Sequence, residues 1–428
     1  MKIGILGGGL SGLALAYHLK HPTEILEAAD RVGGLCKTIW KDGFGYDIGG
    51  HILFSKYQEI NELIDKLLAG NLNKCKRANK ILFNGRYIKY PFENDLGSLT
   101  KEDNYDCLIG YLQKNYPEPK TNLKEWAYYT FGKGIAEKYL IPYNEKIWNC
   151  SAEQLGLEWV ERIPKPPMED VVKSALGIET EGYQHQLYFR YPTFGGAEAL
   201  VKALARDDQN IELNYKITKI IKKPSGWLIT DGNSEKKYDR IVVSFPIHEA
   251  VACFENVPPQ IISAVKNLRY NSINVIMLGV NNTNLSDKSA IYIPDKAVLP
   301  HRVCFMRYFS ENMVPAGASS LIAEVTTNTG DGIHEMNDDE MIGRVKNDLN
   351  RVGIIDKKDV IASDLTRFTY GYPVHDINYR ENIELVRKYF KDIDVDLCGR
   401  FAEFEYINMD ECLKRAINLA NKLNVQTA

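Results

Sequence analysis

The chain has 428 residues, 44% of them hydrophobic and 25% charged, with a formal net charge of −3. That length exceeds what a single hydrophobic core supports, so more than one structural unit is expected. The near-neutral balance gives no sign of a nucleic-acid or anionic-membrane partner. The first element is an apolar run, Lys2 to Leu6, suited to a strand buried on both faces. Gly7, Gly9 and Gly12 follow as G-x-G-x-x-G, and Leu10 to Leu19, including Ser11, has helical apolar spacing. A tight turn, a close approach to pyrophosphate and a close helix–strand contact each require one of those glycines. The helix N-terminus is then free to bind phosphate. A second strand, Thr23 to Leu26, ends at Glu27, where a carboxylate can hold ribose hydroxyls.

Further along, Tyr57 to Leu68 reads as a helix, and Lys80 to Pro91 as a hairpin around Asn84-Gly85. Leu96 to Leu176 is mainly helical in pattern, punctuated by Pro142, Pro164, Pro166 and Pro167, and predicts an inserted helical unit. Strands are expected at Gln186 to Tyr191, Ile211 to Ile221 and Gly226 to Thr230, with a helix over Ala197 to Ala205. Arg240 to Ser244 is expected to rejoin the first sheet. Alternating signals between Asn274 and Thr369 predict a largely antiparallel sheet with a helix near Asp338 to Arg351. A last strand, Val395 to Gly399, leads to an amphipathic helix over Asp410 to Leu423. The expected architecture is α/β: a Rossmann-like domain with an inserted helical domain and a second, largely antiparallel sheet. Its divisions fall at residues 1–95, 96–185, 186–273, 274–394 and 395–428, the first, third and last building the dinucleotide site. Eight scattered cysteines without a C-x-x-C pair predict reduced thiols and no metal site. No apolar run reaches membrane-spanning length, and the dinucleotide strand starts at Lys2 without room for a signal peptide. A cytoplasmic protein is the expectation, with a homo-oligomer left open.

The continuation Glu27-Ala28-Ala29-Asp30-Arg31-Val32-Gly33-Gly34 resembles the E-x-x-x-R-x-G-G extension of the amine oxidase and protoporphyrinogen oxidase superfamily. That resemblance implies FAD, with Gly33 and Gly34 against the cofactor and Arg31 on its phosphates. Asp47 to Ser55, containing Gly49, Gly50 and His51, then resembles the flavin-facing loop of UDP-galactopyranose mutases, particularly their eukaryotic-type branch. Within that likeness Tyr90 and Phe92 fall on aromatic positions of the uracil-binding segment, with Glu93 where the family carries glutamine. Asn144 falls on a substrate-contacting asparagine, and Arg162 and Arg302 on the two arginines that grip a diphosphate. Tyr292, Tyr308, Tyr372 and Tyr406 match tyrosines of the diphosphate and sugar pocket. Gln186 and Ala290 stand where the family has asparagine and tryptophan. Arg400, in Cys398-Gly399-Arg400-Phe401, matches an arginine over the flavin, and the helix beginning near Met409 and Asp410 would face the flavin edge.

The resemblance implies a flavin-dependent nucleotide-sugar mutase working through a flavin N5–sugar adduct, most simply between UDP-galactopyranose and UDP-galactofuranose, with His51, Arg162 and Arg302 at its centre. Reduced FAD would be the active form, NAD(P)H a transient reductant, and surface polysaccharide the destination of the product. Two arginines suit a pyrophosphate better than two lysines because guanidinium groups bind it bidentately. The alternative is an FAD-dependent oxidoreductase of the amine oxidase or protoporphyrinogen oxidase type.

Overall fold

The computed structural model describes residues 1–180 and 187–425. Five parallel strands form one sheet in the order Asp396–Leu397, Arg240–Val243, Ile3–Leu6, Thr23–Leu26, Asn210–Glu212. Ile3, Ile5 and Leu6 are fully buried, as a strand covered on both faces requires. The helix Leu10–His18 covers one face and packs through Leu13, Ala14 and Leu15 on Leu413, Ala416 and Ala420 of the helix Met409–Val425. The opposite face carries a three-stranded antiparallel sheet, Lys219–Lys223, Gly226–Thr230 and Glu235–Tyr238, together with the helix Tyr379–Asp392.

The single strand expected over Ile211 to Ile221 is two strands in two sheets. Asn210–Glu212 pairs parallel with Thr23–Leu26, whereas Lys219–Lys223 pairs antiparallel with Gly226–Thr230. The chain turns at Asn214, whose φ of 59° lies in the left-handed region that asparagine tolerates.

The second sheet has seven strands, in the order Val360–Pro373, Tyr270–Val280, Ser319–Thr327, Arg302–Phe305, Ala290–Tyr292, Asn79–Phe83, Arg86–Lys89. All neighbours are antiparallel except Ala290–Tyr292 with Asn79–Phe83. Residues 79–89, placed by sequence with the dinucleotide unit, thus extend the second sheet as a hairpin that turns through Asn84 (φ 47°) and Gly85 (φ 74°). Successive side chains of a strand face opposite ways. Ile276 and Leu278 accordingly join the core under the helix Asp338–Arg351, while Val275 and Met277 face the helical insertion.

That insertion comprises Lys101–Leu112, Leu123–Ile135, Ile141–Trp148 and Met168–Ala175. Ala136–Leu140 between two of them is a π-turn. Pro142 follows it, has no N–H to donate to the preceding turn, and needs room for its ring, which a widened turn supplies. Tyr139, Leu140, Tyr143, Asn144, Ile147 and Trp148 all reach one cavity from this segment.

Candidate active site

A cavity of about 750 Å³ runs from the glycine turn of the parallel sheet to the seven-stranded sheet and the helical insertion. Gly9, Leu10, Ser11, Gly33, Gly34, Gly399, Arg400 and Met409 line its first half. Gly7 and Gly12 lie beneath the surface, where a methyl on Gly12 would sit 2.1 Å from the Gly7 carbonyl oxygen. That close approach is the reason for the third glycine of the motif. Gly33 donates to the Gly8 carbonyl at 2.9 Å, so the two glycine segments lie side by side. Glu27 accepts from the amides of Gly8 at 2.7 Å and Ala29 at 3.0 Å, and it holds the turn from behind.

Gly50 and His51 begin the second half. Asp47, which precedes them, is buried and accepts from the hydroxyls of Thr38 and Tyr191, each at 2.6 Å, anchoring the loop. Burial raises the Asp47 pKa to about 6 against those hydrogen bonds. Burial also lowers the His51 pKa to about 4, helped by the Arg400 and Arg302 cations, so the imidazole is neutral at ordinary pH.

Arg302 and Glu324 face each other across two antiparallel strands. Glu324 accepts from Arg302 Nε at 2.8 Å and Nη2 at 2.6 Å, from the Gly50 amide at 3.1 Å and from the Tyr372 hydroxyl at 3.4 Å. Burial works against the Arg302 charge, but the Glu324 carboxylate outweighs it and holds the guanidinium firmly protonated. A methyl on Gly50 would meet Cys304 Sγ at 2.9 Å, which is why the loop can approach this pair so closely.

Arg162 approaches from the short turn Val160–Arg162, donates to the Tyr406 carbonyl and the Asn408 side chain, and lies 4.1 Å from the Tyr406 ring centre. Arg400 donates to the carbonyls of Ile407 at 3.3 Å and Gly371 at 3.2 Å, with Tyr406 and Tyr372 beside it. Tyr90 and Tyr292 lie with ring centres 4.9 Å apart, and Asn79 donates to the Tyr292 hydroxyl at 3.2 Å. The Asn144 amide donates to the Leu140 carbonyl at 2.7 Å and accepts from Trp148 Nε1 at 3.3 Å.

The structure therefore brings His51, Arg162, Arg302, Tyr90, Asn144, Tyr292, Tyr406 and Arg400 to the lining of one cavity. Others stand apart from that lining. Arg31 turns to Glu198 at 3.3 Å. Phe92 is buried behind Tyr139, on which it stacks. Tyr308 donates to the Lys76 carbonyl at 2.8 Å and faces a separate small depression. Tyr372 is buried behind Arg302 and Arg400. Gln186 lies outside the described residues.

Sequence reasoning missed Arg77 and Glu324. A lone acid inside the buried strand Ser319–Thr327 was a readable signal, because such a charge requires a partner. Arg77 lines the cavity with Nε and Nη2 buried and without a hydrogen-bond partner, its guanidinium 5.3 Å from the Phe54 ring centre. His51 Nδ1 and Arg400 Nε are buried in the same state. Four such unpartnered atoms among the described residues, on side chains that line one cavity over a glycine floor, fit a polar ligand such as a flavin dinucleotide with a substrate.

Among the described residues no group of His, Cys, Asp and Glu could hold a metal, and no helix is long and apolar enough to cross a membrane. The parallel sheet, glycine turn and cavity define a dinucleotide-binding protein of the Rossmann-like α/β class. The profile of the flavin containing amine oxidoreductase family matches residues 10–375, and the chain belongs to that family. It is 22% identical over 452 aligned residues to coproporphyrinogen III oxidase of Bacillus subtilis (strain 168), covering 96% of this chain and 95% of that one. It is 23% identical to the L-amino-acid oxidase BjussuLAAO-I of Bothrops jararacussu, over 84% of this chain and 76% of that one. The crystal structure of reduced UDP-galactopyranose mutase superposes with a TM-score of 0.91 at 24% identity, covering 100% of this chain and 96% of that one.

Proposed function

We propose that this protein is a flavin-dependent nucleotide-sugar mutase that interconverts pyranose and furanose forms of a UDP-sugar, most simply galactose. The observation that carries the reading is the charge of the cavity: Arg77, Arg162, Arg302 and Arg400 line it together with Lys37 and Arg367, against the acids Glu93, Glu249 and Asp410, and of the first four only Arg302 has a carboxylate partner among the described residues. A neutral or cationic amine does not call for such a wall, whereas a nucleoside diphosphate does. The full-length likeness to a UDP-galactopyranose mutase supports the same reading.

Reduced FAD, when bound, supplies a nucleophile for the anomeric carbon. The chain supplies the rest. Gly9, Gly33, Gly34, Ser11, Arg400 and the start of the helix Met409–Val425 hold the cofactor. Arg162 and Arg302 keep the departing diphosphate within reach and stabilise its charge through hydrogen bonds that strengthen as the glycosidic bond breaks. His51, uncharged, orients the ring without adding a further cation. Tyr90 and Tyr292 offer aromatic faces to the base. Burial raises the Glu93 pKa to about 8, so at neutral pH its carboxyl presents one donor and one acceptor, the pattern of an amide. Glutamate is on that account compatible with uracil where the mutases carry glutamine. NAD(P)H is the proposed reductant.

The test is to reduce the flavin-loaded protein with dithionite, add UDP-galactofuranose and resolve the products by chromatography. UDP-galactopyranose is expected. No conversion, with peroxide released from an amine or a porphyrinogen by the oxidised protein, would overturn the mutase reading in favour of an oxidase.

A further inference from the structure

The loop that joins Ala290–Tyr292 to Arg302–Phe305 contains Pro294 and Pro300, which have no N–H to give. Its carbonyls must find donors elsewhere. Four of them converge on one nitrogen: Lys146 Nζ lies 2.8 Å from the Ile293 oxygen, 2.8 Å from Asp295, 2.6 Å from Val298 and 2.7 Å from Pro300. An ammonium has three N–H groups, so four acceptors at these distances form a cation cage rather than a set of paired hydrogen bonds. Three of the four distances exceed the about 2.3–2.6 Å of calcium sites and the fourth lies at its upper limit, a spacing that suits a larger, singly charged ion dehydrated by carbonyl dipoles.

Lys146 lies on the helix Ile141–Trp148, between Asn144 and Trp148, both on the cavity wall. The loop it grips is flanked directly by Tyr292 and Arg302, on the facing wall. Its neck is closed by the Ile293 amide donating to the His301 carbonyl at 2.9 Å. Lys296 and Glu145 bridge the same two elements at 2.9 Å near the exposed edge. Asp348 accepts from the Leu299 amide at 2.9 Å and adds a negative group behind the cage.

We propose that Lys146 is a positioning residue, the resident cation of a carbonyl cage that fixes the Tyr292–Arg302 wall against the helix Ile141–Trp148. Without a cation, four carbonyl oxygens would face one another across an unscreened gap, and the loop would open, loosening both flanking residues. Burial pulls the Lys146 pKa down to about 7, while the Asp295 and Asp348 carboxylates favour the charged form. The inference does not depend on which ligand the cavity takes.

The test is hydrogen exchange on the flavin-loaded protein. In Lys146→Ala, amides across residues 291–304 should exchange about tenfold faster than in the wild type. Potassium chloride should restore their protection by entering the vacated cage, whereas choline chloride at the same ionic strength should not. Lys146→Met fills the cage with a methyl group, so it should show the same acceleration with no response to potassium. Protection in Lys146→Met equal to the wild type, or acceleration in Lys146→Ala that potassium leaves unchanged, would overturn the proposal. If Lys146→Ala does not fold, Lys146→Met decides alone, because a dispensable charge would leave its segment protected.

Discussion

Removing the Glu324 carboxylate should destabilise the protein and at the same time release Arg302 to an anionic ligand. The carboxylate is wholly buried and accepts from Arg302 twice, from the Gly50 amide and from the Tyr372 hydroxyl. Deleting one partner of a buried ion pair costs about 3–5 kcal/mol, because the remaining charge stays uncompensated. The orphaned Gly50 N–H adds about 1–3 kcal/mol if no water reaches it. Arg302 is 22% exposed toward the cavity, however, and water there relieves part of its charge. The expected loss for Glu324→Ala is therefore at the lower end, about 3 kcal/mol. Urea unfolding of the flavin-loaded wild type, Glu324→Ala, Arg302→Met and the double variant gives the coupling directly. Inorganic pyrophosphate, titrated calorimetrically, should bind Glu324→Ala more tightly than the wild type. A coupling under about 0.5 kcal/mol, with unchanged pyrophosphate affinity, would refute the view that Glu324 holds Arg302 in check.

Two further predictions concern titration. The folded Glu93 pKa of about 8 exceeds the ordinary carboxyl value of 4.5, so the native state holds an extra proton between those values and stability falls as pH rises through that window. Glu93→Gln should remove this slope and exceed the wild type in stability at pH 9 by at least about 1 kcal/mol, read from urea midpoints at pH 5 and 9. An unchanged slope would mean the carboxyl is solvated. For His51 the sign is opposite: its folded pKa of about 4 lies below 6.5, so the unfolded chain takes up the proton first and stability falls as pH drops from 6.5 toward 4. His51→Gln should recover up to about 3 kcal/mol of that acid loss, with His375, also near 4, accounting for a remaining share. Equal acid sensitivity in variant and wild type would show that His51 is protonated in the fold.

The cofactor half of the cavity was legible because its information is local. Gly7, Gly9 and Gly12 sit on one turn, and the contact that excludes a methyl at Gly12 comes from Gly7, five residues away. The facing half depends on long-range register. Nothing near Arg302 announces Glu324, which meets it only because two antiparallel strands align those positions. Tyr308 and Phe92 show the converse limit: a matching sequence position does not determine which way a side chain turns once Lys76 offers a carbonyl or Tyr139 a ring. The strand over Ile211 to Ile221 had an apolar pattern compatible with one element, but the left-handed turn at Asn214 sends its two ends into different sheets.

The cavity's cations differ in how they are held, and the difference bears on what each can do. Arg400 is tied to two backbone carbonyls, and Arg302 is clamped by Glu324, so both keep their place when the cavity contents change. Arg162 rests on a tyrosine ring, a carbonyl and an amide at the mouth, and no carboxylate among the described residues neutralises it. Arg77 keeps two buried nitrogens without an acceptor among the described residues. Fixed, compensated charge suits a group that must be ready before a ligand arrives, since preorganised donors cost no rearrangement when charge develops. Uncompensated charge suits a group whose partner is the ligand itself, since the desolvation already incurred is offset only on binding. On that reasoning Arg77 and Arg162 attract the anion, and the Arg302–Glu324 pair, backed by the Lys146 cage, keeps the wall against which it is held.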